Sequence, residues 1–401
     1  MTAAAPRAAA VLTAATVAFL FVAPFAGSAG VRGLALLVAL AALAVVQWRD
    51  RDLGRLPNAI LLAFLAWAIL AIASLAWSVQ PAYTRGELRS EVLSGGGVLA
   101  VFFLAARDVS RWPRWRAALL AGTLTLAAVH LAQGLLPFAL TRHAIEGQGG
   151  LWSTHLVLVA PILITLGWPP PWGAGAGFAL QGTALALLFG AAWETGNRAI
   201  WVALCAQLLV AFAFAGAAAD RGRLRAFRAM ALAGALVVVL ALVVSIKERI
   251  AHAQPGATMS VGLATDVRPH IWSVAWGKFH EAPLLGHGFG REILGADFER
   301  AARPGTVGHP PVRHSHNLFM DMALQLGGVG VAAFVALLAL LGVRYGSLLR
   351  DPRVAPLGVA GLALLAGFVL KNLTDDFLHR HNALVFWALN GMLLGLARRP
   401  R

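Results

Sequence analysis

Cysteine occurs once in the 401 residues, as Cys205 in the middle of an apolar run. A lone thiol excludes an intrachain disulfide and any metal centre built from paired thiolates. Charge is scarce as well: 13% of residues are Asp, Glu, Lys or Arg, where a soluble globular domain carries about 25%. Acids are the scarcer half, 18 against 33 bases, which leaves a formal net charge of +15. Such an excess on one folded surface would suggest nucleic acid, but these bases are dispersed over short connections between apolar runs, and that dispersal argues against it. The first apolar stretch also lacks a clear small-residue cleavage motif and runs directly into another, so no cleavable signal peptide is expected.

What fills the chain instead is hydrocarbon. Hydrophobic residues make up 59% of it and the mean hydropathy is +0.72, the composition of an all-α polytopic membrane protein. A helix needs about 20 mostly apolar residues to cross a bilayer core of about 30 Å. By that measure spans fall near 8–26, 31–47, 58–79, 91–106, 115–138, 152–168, 173–193, 199–219, 226–246, 317–343, 354–371 and 381–397. The expectation is therefore about twelve transmembrane helices: nine within 1–246, a loop at 247–316, and three more within 317–401. Connections on the side of the N-terminus carry eighteen arginines, and short connections on the other side carry seven basic residues. Because basic loops resist translocation, both termini are expected in the cytoplasm and the long loop outside, which in a bacterium means the periplasmic side of the inner membrane.

That loop is the one long hydrophilic passage, and chemistry is expected there. Pro269 to Ala282 has a proline suited to a first helical turn and stops at Pro283, so it reads as an amphipathic helix with Arg268 at its N-terminal edge. Trp272 and Trp276 lie one turn apart on it, as interfacial anchors or as part of a site. Ala253 to Ala257 reads as a flexible crossing. Gly286, Gly288 and Gly290 read as a tight turn, since neither a flanking strand nor a P-loop Lys-Ser/Thr accompanies them.

Arg313-His-Ser-His-Asn317 closes the loop against the next apolar run. No metal is expected here. His280-Glu281 lacks the second histidine of H-E-x-x-H, and His314 and His316 have no obvious carboxylate or thiolate beside them in the sequence. A proton acceptor at neutral pH, or a structural hydrogen-bonding pair, are the readings left. Arg198, in Gly196-Asn-Arg-Ala-Ile-Trp201, falls on the same external side as Arg85, Arg89, Arg268 and Lys371. An isolated arginine at the head of a span is ordinarily an anchor, but several together can grip phosphate oxygens bidentately. An external cationic cavity with a histidine at its rim suits a lipid-linked diphosphate.

Taken in order, Gly196-Asn-Arg198-x-x-Trp201, Arg268-x-x-x-Trp272, Pro283-x-x-Gly286-x-Gly288 and His316-Asn317 resemble the O-antigen ligase and polymerase superfamily of bacterial envelope glycosyltransferases. The resemblance covers roughly residues 180 to 345 by motif and the rest by span count. It implies transfer of a polysaccharide from undecaprenyl diphosphate to a sugar hydroxyl, without metal, nucleotide or other cofactor. In the ligase branch the acceptor is the lipid A-core oligosaccharide. Position by position it gives His316 the role of base, with Arg198 and Arg268 holding the diphosphate. Sidedness adds Arg85, Arg89, Lys371, Asp375 and Asp376 to the substrate-binding set, beside His314, Asn317, Trp201 and Trp272.

Three other readings compete. A polymerase of the same superfamily would be expected to have two sizeable periplasmic loops, where one is seen. A protein O-glycosyltransferase would be expected to carry a further C-terminal soluble region. A lipid transporter or flippase would be expected to place charges inside spans, whose centres here are nearly free of them.

Overall fold

The computed structural model describes residues 4–50, 57–132, 149–166, 174–218, 268–295, 313–376 and 378–398, with isolated residues between 232 and 247. These residues form helices α1 (Ala4–Val22), α2 (Ala29–Asp50), α3 (Asn58–Ala73), α4 (Pro81–Glu87), α5 (Ser94–Ala105), α6 (Trp112–Leu131), α7 (Gly149–Leu166), α8 (Ala174–Glu194), α9 (Ala199–Ala218), α10 (Arg268–Glu281), α11 (Leu318–Leu348), α12 (Ala355–Asn372) and α13 (Arg380–Leu396). Short 3₁₀ turns and one π-helical turn, Leu88–Leu93, join some of them. Among the described residues, five stretches are long and apolar enough to cross a membrane: Ala26–Trp48, Asn58–Ala76, Pro81–Ala105, Leu318–Leu348 and Ala355–Asn372. Pro6–Val22, Gly150–Leu166 and Ala199–Phe214 are apolar but shorter.

Ten of the expected stretches overlap these helices closely, though only some of those helices are long and apolar enough to cross a membrane; the one near 226–246 lies mostly outside the described residues, as does the crossing at 253–257. One span needs correction. The stretch expected at 91–106 begins at Pro81, because α4, the π turn and α5 run on as one rod of 25 residues. Arg85 and Arg89, expected in a connection, lie on that rod and are exposed, while Glu87 and Glu91 turn inward from its other side.

Between apolar helices in lipid the hydrophobic effect gives little net attraction, so close packing and buried hydrogen bonds hold the bundle. Helix α13 lies on α5 with Gly391 and Gly395 at the crossing, where an added Cβ would meet Leu99 O at 2.6 Å and Phe103 O at 2.5 Å. Helix α12 is wrapped by α7, α9 and α11. Buried polar contacts pin further pairs: Tyr345 Oη of α11 donates to Asn390 Oδ1 of α13 at 2.7 Å, and Gln207 Nε2 of α9 to Val157 O of α7 at 2.7 Å.

Helix α11 is broken near its N-terminal end. Gly327 has φ 65° and ψ −168°, a conformation open essentially to glycine alone, and it separates Leu318–Leu326 from the longer C-terminal part. The turn read at Pro283 to Gly290 fills the break. His287 N donates to Leu324 O, Gly288 N to Gln325 O, Gly328 N to Pro283 O and Val329 N to Leu284 O. The backbone groups that the helix loses at its break are thus satisfied by the loop, and the loop's by the helix.

Candidate functional site

The N-terminal stub of α11 is organised by Asn317. Its Oδ1 accepts from Phe319 N and Met320 N, so the helix starts at Leu318, and its Nδ2 donates to Leu373 O. His316 is therefore one residue outside the cap and not on the first helical turn. It takes φ 55°, one of two non-glycine residues with positive φ among those described. Such a conformation costs about 1–3 kcal/mol and persists only where surroundings impose it. Here they do. Trp272 Nε1 of α10 donates to Ser315 O at 3.0 Å, Ser315 N donates to Asp321 Oδ1 at 2.7 Å, and Leu318 N donates to Asp375 O at 3.1 Å.

The two histidine rings lie with centroids 4.2 Å apart. His314 is held close to an acid: its Nδ1 lies 3.8 Å from Asp321 Oδ2 and its side chain is 23% exposed. Burial first, then the positive charge of Arg291, drives its pKa down to about 3. His316 is also held below the ordinary histidine value, by burial and by Arg268, with Asp375 pulling the other way. Both are neutral at pH 7. The expectation that no carboxylate accompanies these histidines is overturned, because the first turn of α11 carries Asp321 back to them and the segment before α13 brings in Asp376.

Behind them stands an ionic layer that sequence reading missed. Arg291, directly after the glycine turn, makes an ion pair with Asp376 Oδ1 at 2.8 Å and also donates to the Asp376 carbonyl, with side chains 11% and 2% exposed. Burial raises the pKa of Asp376, but Arg291 and a hydrogen bond with Asp321 outweigh it and hold that carboxyl below the ordinary range. On the far side His379 bridges Glu91 and Glu87, the latter at 3.4 Å. Burial and Arg291 oppose its charge, yet its bonds to the two glutamates prevail and its pKa is raised. Among the described residues, two groups could offer three ligand atoms to a metal: Glu87, Glu91 and His379, and His314, Asp321 and Asp376. In both, cationic partners from the chain itself already face the acids. A small cavity inside the layer is lined by Glu91, Arg291 and Asp376 and by Trp67, Phe289 and Trp387.

Other expected residues are sorted by their surroundings. Lys371 is fully buried on α12 and paired with Asp375, so its role is internal. Asn197 Nδ2 donates to the same Asp375 carboxylate at 3.1 Å, which brings the turn carrying half-buried Arg198 to this edge of the site. Trp201 is buried and stacked on Phe189, with centroids 6.2 Å apart, a packing position. Arg268 opens α10, near enough to His316 and Lys371 for its charge to act on both. Arg85 and Arg89 stay on the exposed side of their rod, away from the acids. Arg291, Asp321, His379, Glu87 and Glu91 left slight signals: an acid in the first turn of a span, and two acids four residues apart at the head of another.

Residues 183–335 match the protein-family model described as O-Antigen ligase. That range includes Arg198, Arg268, Arg291, His316 and Asp321. No curated protein matches the chain.

Proposed function

We propose that this chain, which over residues 183–335 carries the domain of the O-antigen ligase superfamily, is a ligase that moves a glycan from a polyprenyl diphosphate to a sugar hydroxyl. The superfamily is one of glycosyltransferase-like enzymes acting on lipid-linked polysaccharide in a membrane setting. The finer reading is an undecaprenyl-diphosphate-linked O-antigen as donor and lipid A-core oligosaccharide as acceptor. The site then faces the periplasm of the inner membrane and both termini face the cytoplasm.

The observation that carries it is the setting of His316. A neutral imidazole is held in a strained backbone beside Arg268, at the N-terminal edge of a helix stub, within the matched domain. In the proposed step His316 takes the proton from the acceptor hydroxyl. The hydroxyl oxygen forms a bond to the anomeric carbon, and the carbon–oxygen bond to the diphosphate breaks with its electron pair going to the diphosphate. One displacement inverts the anomeric centre. Arg198 and Arg268 neutralise the charge that grows on the leaving group, the part a divalent ion plays in many diphosphate enzymes, so transfer proceeds in chelator. General base catalysis of this kind contributes about 10² to 10⁴ in rate. His314, with its pKa near 3, is too weak a base for the task and supports the His316 loop.

The test is ligation in vitro with purified His316→Ala and His314→Ala at matched levels. The expected result is loss of turnover by at least about 10² in the first and a smaller loss in the second. In the parent protein the acid limb of the rate profile lies below pH 6.5, since His316 works unprotonated and its pKa is lowered from that value. Near-normal turnover of His316→Ala beside a dead His314→Ala would reverse the two roles.

A further inference from the structure

The exposed side chains of the Pro283 to Gly288 turn do not suit an aqueous loop. Leu284 is 70% exposed and Leu285 is exposed beside it. The backbone of this turn is bonded to α11 on both sides of the Gly327 break, with Leu284 O accepting from Val329 N. Its depth can therefore be measured along the helix. From Arg344, the next charged residue after Asp321 along α11, back to Val329 is 15 residues, or about 22 Å of rise. The hydrocarbon core is about 30 Å thick, and helix tilt only shortens the projected distance. With Arg344 at the opposite interface, Val329 and the leucines beside it fall several ångströms inside the core.

We infer that Pro283 to Gly288 is a re-entrant turn that sets Leu284 and Leu285 among the acyl chains of the bilayer, beside the break in α11. Two observations agree with that occupant. Irregular backbone is tolerated at membrane depth where its polar groups find partners in the protein, and such partners are given to Pro283 O, Leu284 O, His287 N and Gly288 N by α11, to Leu285 O by Trp77 Nε1 and to Gly286 N by Ala282 O. The leucines also continue the exposed apolar face of α11 itself, marked by Val329, Val335 and Val343. The consequence for transfer rests on the function proposed above. A turn fixed in lipid, with Arg291 following it in sequence, holds the His316 site at the height of a diphosphate whose tail lies in the membrane.

The scarcity of cysteine makes a test direct. In a Cys205→Ala background, single substitutions Leu284→Cys, Val335→Cys and Ser273→Cys are labelled with a nitrobenzoxadiazole fluorophore and placed in nanodiscs with acyl-chain-brominated lipids. Leu284 is exposed enough for its substitution to leave packing intact, Val335 marks the lipid-facing span, and Ser273 marks the exposed side of α10. The expected result is loss of fluorescence at position 284 matching that at 335, with none at 273. A label at 284 that is unquenched and as reactive toward aqueous reagent as that at 273 overturns the inference, whether the turn then faces water or another protein. No substrate is present, so this outcome is separate from the fate of the proposed reaction.

Discussion

Replacing Arg291 by methionine should unsettle the site more than any loss of a surface charge. The guanidinium is 11% exposed and its partner Asp376 2% exposed, so solvent does little to screen what is left behind. Removing one member of such a pair costs roughly 3–5 kcal/mol, because the other charge stays buried without compensation. Over 401 residues the unfolding entropy of an average protein turns that into a fall of about 4 to 6 °C in melting temperature. The loss should depend on pH in a definite direction. In the folded protein Asp376 titrates below its ordinary value, so its contribution to stability is present at neutral pH and disappears as pH falls through that lowered value. Arg291→Met removes the main cause of the lowering, so parent and variant should differ most near pH 7 and converge in acid. A second substitution, Asp376→Asn, removes the orphaned charge and should restore part of the stability. The assay is thermal unfolding in detergent followed by tryptophan fluorescence between pH 2 and pH 8. An unchanged melting point in Arg291→Met, or a double variant no better than the single one, would refute the reasoning.

Gly327→Ala should prevent correct folding, since a Cβ there would lie 2.1 Å from Leu284 O and the backbone conformation alone costs about 1–3 kcal/mol for a residue with a side chain; Gly346→Ala, with nothing within 4 Å, should be near neutral, and yields of monodisperse protein in detergent compare the two. Trp272→Phe keeps the ring but leaves the buried Ser315 carbonyl without its donor, at about 1–3 kcal/mol, and should lower kcat more than it raises KM because the His316 loop loosens; the opposite split would make Trp272 a substrate contact.

Hydropathy alone places most of the helices, because a span has to be about 20 apolar residues long whatever it packs against. It misjudges the start of the rod at Pro81, where Arg85, Glu87, Arg89 and Glu91 lower the local average although the backbone stays helical. The break at Gly327 is equally hidden. Gly327 and Gly328 sit inside an apolar run, and only the docked Pro283 turn makes a break there favourable. At the site, His316, Arg268 and Arg198 were visible because each stands at the mouth of a span or helix. The ionic layer behind them was not, since its pairs join residues far apart in the chain, such as Glu91 with His379 or Arg291 with Asp376. The same blindness let Lys371 pass as a substrate contact, when its charge is taken up within the protein by Asp375.

That carboxylate has a mechanical consequence. Asp375 is bound at once by Lys371 from the end of α12 and by Asn197 from the head of α9, and its carbonyl accepts from Leu318 at the start of α11. It works as a tie bar between the two banks of the site, the one bearing Arg198 and the one bearing His316. Because the bar runs through α9, α11 and α12, the gap between arginine and histidine is set by the membrane bundle.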